Sequence, residues 1–344
     1  MPQRILDGIG GFAGLKMERY LLVCGRSFST LGIDRYFAPL AVFSGYTPNP
    51  LYEQVREGVR CFREARCEAI VAVGGGSAID VAKCIKLFCQ MPDDVSWLKQ
   101  VFHDTGIPLI AIPTTAGTGS ESTRHAVIYE NGVKQSVCHE SIIPDVAILE
   151  PRLLSGLPLY QRKCAMLDAL CQCIESCWAV AATAESREWA VRGIRLILDN
   201  WRGYIIDGTL DAADAVMHGA NFSGRAINVT ATTAAHAMSY KLTSLCGLPH
   251  GHAVALCLPH VWRFLEEHAD ASLKRVLATL PISLNDFVSL MEEMNMARQK
   301  VGAILPDVET LVSSVNPERL RNSPVPLAVT DLREIYKTIL DALK

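Results

Sequence analysis

The sequence lacks the features that would indicate a membrane-spanning, secreted or nucleic-acid-binding protein. It has no run of ~18 apolar residues, so we expect no transmembrane helix and no membrane partner. The first residues, MPQRILDGIGGF, lack the apolar core of a signal peptide. Lysine and arginine total 33 against 36 aspartate and glutamate, for a net charge of −3. That balance argues against nucleic acid as a partner.

A CxxC pair is also absent among the twelve cysteines, which excludes zinc-ribbon and thioredoxin-like sites. Hydrophobic residues make up 49% of the chain, enough for a large core that needs no disulfides. We therefore expect reduced, mostly buried thiols and a cytoplasmic location. A length of 344 residues suggests about two domains, at roughly 150 residues each.

The two halves of the chain differ in their patterns. Up to residue 153, continuous apolar runs alternate with amphipathic patterns, which predicts an α/β domain with a parallel sheet covered on both faces. From 154 to 344 the strand signal fades, which predicts a helical domain. The predicted strands are 20–24, 39–43, 69–73, 108–112, 126–129 and 145–149, and the predicted helices are 51–66, 78–87, 161–183, 185–201, 210–227, 230–245 and 331–343.

Two glycine- and threonine-rich turns follow predicted strands. The segment GGGSAID at 74–80 stands between a strand and a helix, where glycine lets the backbone approach a ligand and the helix N-terminus favours an anion. The segment PTTAGTGSE at 113–121 follows another strand. Two such turns at the ends of neighbouring parallel strands would line one crevice, so we predict a phosphate-binding site there. Each turn alone is also compatible with an ordinary strand-to-helix connection.

A second group of residues combines a carboxylate with imidazoles. Asp168 and Gln172 are four residues apart on a predicted helix and therefore share one face. His236 lies in a helix of small residues, and His250 opens another helix. Two imidazoles with a carboxylate suit Zn²⁺ or Fe²⁺, although a buried aspartate or histidine is more often structural.

Taken in order, GGGSAIDVAK at 74–83, PTTAGTGSE at 113–121, Asp168-Ala-Leu, and His236 followed by PHG at 249–251 closely resemble the iron-containing (group III) alcohol dehydrogenase family. The resemblance runs from about residue 20 to the C-terminus. It implies a Rossmann-like dinucleotide-binding α/β domain, a helical domain, a divalent metal, and reversible alcohol–aldehyde chemistry with NAD(P). Relatives are often dimers or larger, so the resemblance allows a homodimer.

The resemblance assigns roles position by position. Asp168, His236 and His250 match metal ligands, and Gln172 stands where a fourth ligand, usually histidine, is expected. The residues matched to cofactor binding are Gly75, Gly76, Ser77, Asp80, Thr114, Thr115, Thr118 and Lys134. Tyr240 replaces a second histidine usual in the family and is a candidate proton relay.

One residue in the loop after the second strand indicates whether NAD(H) or NADP(H) is preferred. NAD-preferring relatives place an aspartate there that accepts from the adenosine ribose, and this chain has Ser44. A hydroxyl leaves room for a 2′-phosphate that a carboxylate would repel. We therefore expect NADP(H) to be preferred over NAD(H), with Fe²⁺ or Zn²⁺ as the metal.

Basic residues near the predicted pocket indicate the charge of the substrate. Lys241 and His125, together with Arg124 and Arg225, suggest a small anionic aldehyde. The overall pattern looks most like phosphonoacetaldehyde reductases, which would form 2-hydroxyethylphosphonate. Sulfoacetaldehyde, succinic semialdehyde and butyraldehyde remain alternatives. So do a non-redox lyase like dehydroquinate synthase and a binding protein that has lost the metal.

Overall fold

A computed structural model describes residues 3–297 and 305–343 of the chain. These divide into two compact units. The first unit comprises the described residues of Met1–Leu157 with Gly208–Met217, and the second those of Pro158–Asp207 with His218–Lys344.

The first unit is built on a six-stranded parallel sheet in the order β1-β8-β5-β4-β2-β3. Its strands are β1 (Arg4–Asp7), β2 (Tyr20–Cys24), β3 (Ala41–Phe43), β4 (Ala69–Gly74), β5 (Leu109–Pro113) and β8 (Val146–Leu149). Cys24 pairs with Val73, and Gly74 pairs with Pro113, so β2, β4 and β5 end side by side. The chain leaves β2 toward β3 and leaves β4 toward β5, which makes the gap between β2 and β4 a point of topological reversal.

Successive side chains of the central strands point to opposite faces of the sheet, which divides the core of this unit into two layers. Val23 and Ile70 point toward one layer with Val59 of helix α1 (Tyr52–Glu64) and with helix α2 (Gly76–Phe88). Leu22 and Val71 point to the other layer, against the turn that follows β1. A continuous apolar run buries both of its faces in this way, and the predicted α/β class is confirmed.

The predicted strand at 126–129 does not join this sheet. It forms β6 (His125–Glu130), which pairs antiparallel with β7 (Val133–Cys138) in a separate two-stranded hairpin. Asn131 and Gly132 connect the strands with φ values of 52° and 76°. An Asn-Gly pair in this conformation closes a two-residue hairpin, and this local signal was overlooked in the sequence.

The second unit is helical. Its helices are α3 (Leu159–Trp178), α4 (Ala184–Arg202), the later part of α5 (Leu210–Thr230), α6 (Ala234–Cys246), α7 (His250–His268), α8 (Ala271–Ala278), α9 (Leu284–Glu293), α10 (Val308–Ser313), α11 (Pro317–Leu320) and α12 (Val329–Leu343), with a π-helical turn at Gly203–Asp207. Helix α3 is buried on all sides from Met166 onward, as expected for a central helix. Among the described residues no helix combines the length and apolar character needed to cross a bilayer.

Candidate functional site

Three side chains of the second unit converge at one point. Asp168 comes from the middle of α3, His236 from α6, and His250 from the first turn of α7. One oxygen or nitrogen atom of each lies within 4.8 Å of those of the other two. Helix α7 packs against both α3 and α6, and this packing brings together residues that are 82 positions apart in the sequence at most.

The electrostatics of this cluster suit a cation. Asp168 and His236 are each only 3% exposed. The Oδ1 atom of Asp168 lies 3.4 Å from Nε2 of His236 and 3.8 Å from Nε2 of His250. Nε2 of His236 is buried and makes no hydrogen bond with any residue of 3–297 or 305–343. A carboxylate and two imidazoles around such an atom form a donor set that fits Fe²⁺ or Zn²⁺.

Glu175, which sequence reasoning missed, orients His236. Its fully buried carboxylate contacts Nδ1 of His236 through Oε2, while Oε1 accepts hydrogen bonds from Thr233 Oγ1 (2.6 Å) and Ala235 N (2.9 Å). Burial opposes charge on His236, but the Glu175 and Asp168 carboxylates together outweigh it and raise the pKa of His236 to about 9. A proton held on Nδ1 directs Nε2 toward a metal, the usual carboxylate–histidine–metal arrangement.

Gln172 lies one turn of α3 from Asp168 and is buried. Its Oε1 accepts a hydrogen bond from the Ser223 hydroxyl of α5. The amide oxygen is therefore already engaged by the protein. In His252, by contrast, both ring nitrogens have hydrogen-bond partners, the Tyr160 hydroxyl at 2.8 Å and the Met296 carbonyl at 2.7 Å. His252 therefore supports the packing of the helices and has no ring nitrogen available for a metal.

Tyr240 lies beside the candidate metal centre. Its ring is parallel to the ring of His250, with an interplanar angle of 1° and centroids 5.7 Å apart. The guanidinium carbon of Arg319 lies 5.5 Å from the Tyr240 centroid. Lys241, the next residue of α6, is exposed. Arg319, a cation at this position, is a second residue that sequence reasoning missed.

Gly251 sets how closely α7 approaches α3. A Cβ atom there would lie 2.0 Å from the Cys164 carbonyl oxygen and 2.8 Å from Cβ of Asp168. We expect Gly251→Ala to lower stability by roughly 3 kcal/mol, because the obstacle is backbone that cannot turn aside. A thermal melt should show a fall on the order of 5 °C or more. The control Gly156→Ala, with open space around its Cβ, should change little, and equal melts for the two variants would contradict this packing.

A cavity of about 440 Å³ lies in the first unit, at the ends of the neighbouring strands β2 and β4 and of β5. Its lining includes one cation and no carboxylate. The lining residues are Gly25, Arg26, Ser27, Phe28, Leu31, Tyr46, Thr47, Pro48, Val73, Gly74, Gly75, Gly76, Ser77, Ala78 and Thr114. The cavity stands where open parallel sheets bind nucleotides, outside the carboxyl ends of strands at a reversal of strand order.

The glycine turn forms the floor of this cavity at the start of α2. A Cβ on Gly75 would lie 3.2 Å from Cγ2 of Thr115, and one on Gly76 would lie 3.0 Å from the Thr118 side chain. Glycine at both positions therefore lets the two turns approach closely and places no side chain of residues 75 and 76 over the start of α2. This cradle fits the pyrophosphate of a dinucleotide.

The other predicted cofactor residues lie apart from the cavity lining. Ser44 is exposed directly after β3, and Lys134 is on β7. Asp80 accepts hydrogen bonds from Ser120 Oγ (2.7 Å) and Val127 N (3.0 Å), which tie α2 to the second turn and to β6. His125 begins β6 in the first unit, and its backbone carbonyl accepts a hydrogen bond from Lys83 Nζ. Tyr240 belongs to the second unit.

The family comparisons agree with these features. Residues 6–151 match the family model described as iron-containing alcohol dehydrogenase. Residues 164–339 match the model described as the C-terminal region of the Fe-containing alcohol dehydrogenase family.

Individual relatives are similar over different spans. A probable alcohol dehydrogenase EutG of Escherichia coli is 32% identical over 84% of this chain and 78% of its own length. A phosphonoacetaldehyde reductase of Streptomyces viridochromogenes is 35% identical over 60% of this chain and 55% of its own length. The crystal structure of sulfoacetaldehyde reductase from Bifidobacterium kashiwanohense, in complex with NAD⁺, superimposes with a TM-score of 0.88 at 24% identity, covering 98% of this chain and 97% of that one.

Proposed function

Because the chain belongs to the iron-containing alcohol dehydrogenase family, we propose that it is a metal-dependent, NADPH-linked reductase of a small anionic aldehyde. The substrate that we favour is phosphonoacetaldehyde, reduced to 2-hydroxyethylphosphonate. The observation that carries the proposal is the cluster of Asp168, His236 and His250 in the second unit. Its donor set suits a Lewis-acidic cation with an open position for substrate.

In this reaction the bound cation would polarise the aldehyde oxygen, and NADPH would supply a hydride to the carbonyl carbon. Asp168 contributes the negative charge that holds the cation, and Glu175 keeps His236 in the tautomer that presents Nε2. The backbone of Gly75 and Gly76 would bind the pyrophosphate. We assign Tyr240 as the carrier of the proton that the product oxygen gains, since its ring stacks on His250.

Three considerations support the finer parts of the proposal. The nucleotide cavity has no carboxylate to repel a 2′-phosphate, which favours NADPH. The Arg319 guanidinium lies over the Tyr240 ring, and Lys241 is the next residue of α6, so two cations could serve an anionic substrate. All twelve cysteines are free thiols, and eleven are buried or half-buried, which favours a reducing, cytoplasmic setting.

Absorbance at the reduced-nicotinamide band tests the proposal. Protein loaded with Fe²⁺ or Zn²⁺ would be given NADPH or NADH with phosphonoacetaldehyde, sulfoacetaldehyde, succinic semialdehyde or butyraldehyde. Fastest loss of NADPH with phosphonoacetaldehyde is the expected result. Preference for butyraldehyde would refute the anionic substrate and keep the reductase. No net change in absorbance with any pair would favour a lyase or a metal-free binding protein.

The two cations near Tyr240 give a sharper test of the substrate. We expect Arg319→Ala and Lys241→Ala each to raise KM for phosphonoacetaldehyde about tenfold, because each would remove one charged contact to the phosphonate. Neither should change KM for butyraldehyde appreciably. The matched control is Arg321→Ala, an exposed arginine at the end of α11. Equal effects on both aldehydes would refute the anionic pocket.

A further inference from the structure

We infer that Arg26, and not Ser44, is the residue that selects a 2′-phosphorylated nucleotide. The inference rests on the proposed NADPH preference and adds the group that enforces it. Arg26 follows β2 by two positions, and it is the only charged residue among those lining the nucleotide cavity within the described chain. Ser44 lies outside that lining.

The strand order places Arg26 where the adenosine ribose is expected. β2 is the neighbour of β4 on the side opposite β5. A pyrophosphate seated on the turn at Gly75 and Gly76 leaves the adenosine half to cross the end of that neighbouring strand, at the reversal of strand order. Adjacent strands are only about 4.8 Å apart, so this end is within reach of the ribose.

Tyr46 lies close to the ends of both β2 and β4. Its hydroxyl lies 3.8 Å from where a Cβ of either Gly25 or Gly74 would be. The loop that follows β3 therefore folds over β2 and β4 together. Apolar side chains in the same lining would face a base, and they are Phe28, Leu31 and Pro48. Arg26 thus borders a compartment with room for a base and a ribose.

The guanidinium of Arg26 is available for a ligand. Across 3–297 and 305–343 no hydrogen bond or ion pair engages its side chain, and the residue is exposed. Arg35, in the same region of the chain, differs in this respect, since its guanidinium donates a hydrogen bond to the Tyr36 hydroxyl (3.3 Å). An arginine offers a planar fork that binds phosphate oxygens in pairs, which a serine hydroxyl cannot do.

Direct binding of adenosine 2′,5′-bisphosphate and of 5′-AMP to the whole protein, by calorimetry, tests the inference without turnover. The wild type should bind the bisphosphate about 10- to 100-fold more tightly than 5′-AMP. Arg26→Ala should bind the two alike, with 5′-AMP affinity unchanged, and Arg26→Lys should keep part of the difference. Arg35→Ala is the matched control and should retain it fully.

The outcomes separate this inference from the proposed function. Retention of the full preference by Arg26→Ala would overturn the inference and leave NADPH selection intact. Loss of the preference in Ser44→Ala but not in Arg26→Ala would assign selection to the hydroxyl and overturn it as well. If the wild type itself binds the bisphosphate and 5′-AMP equally, the proposed NADPH preference fails, and the inference fails with it.

Discussion

Replacing Asp168 by Asn is expected to remove the metal and nearly all reductase activity. The amide keeps the size of the side chain but supplies no charge to a buried cation held otherwise by two imidazoles. A Lewis acid contributes several kcal/mol to stabilising the developing alkoxide, so we expect the rate to fall on the order of 10³-fold. Metal content after dialysis, measured by elemental analysis, should fall in parallel.

The control for this variant is Asp199→Asn, an exposed aspartate of α4. It should keep both metal and activity. Circular dichroism of the Asp168 variant should match the wild type, because the change is isosteric. A variant at Asp168 that still holds one metal per chain and turns over normally would refute the assignment of this carboxylate as a ligand.

Glu175→Gln is expected to lower metal affinity by about 10- to 100-fold. The amide oxygen can still accept from Thr233 and Ala235, which turns the NH₂ group toward Nδ1 of His236. Nδ1 must then become the acceptor, and the ring proton moves to Nε2, where it opposes the metal. A chelator competition titration measures the loss directly.

Excess metal distinguishes this effect from misfolding. Activity of Glu175→Gln should recover as Fe²⁺ or Zn²⁺ is raised, whereas an unfolded protein would not respond. Glu185→Gln, at an exposed position in the first turn of α4, is the matched control. Wild-type metal affinity in Glu175→Gln would show that the carboxylate does not orient His236.

Most of the fold could be predicted because its signals are local. The central strands are continuous apolar runs, and α3 and α4 have helical patterns long enough to recognise. β1 was missed because Arg4–Asp7 is short and lies at a sheet edge, where its two end residues are exposed and the two between them are half-buried. β6 was placed in the wrong sheet because an apolar run predicts a strand but does not indicate which strand it pairs with.

The site was predictable only where a motif marks it. Glu175 carried a usable signal, as the one charged residue in the part of α3 that follows Asp168, two turns further along the helix. Arg319 carried none, because its contact with Tyr240 joins segments 79 residues apart. Arg26 was overlooked because a single arginine after a strand is indistinguishable from a solvated charge until the cavity is seen.

The most direct test of the account is a metal titration of the metal-free protein, with NADPH oxidation by phosphonoacetaldehyde as the readout. We predict that the rate rises with added Fe²⁺ or Zn²⁺ and stops rising at about one equivalent per chain, since one cluster of Asp168, His236 and His250 binds one cation. An equally fast reaction without metal, or no reaction at any metal content, would contradict the central claim.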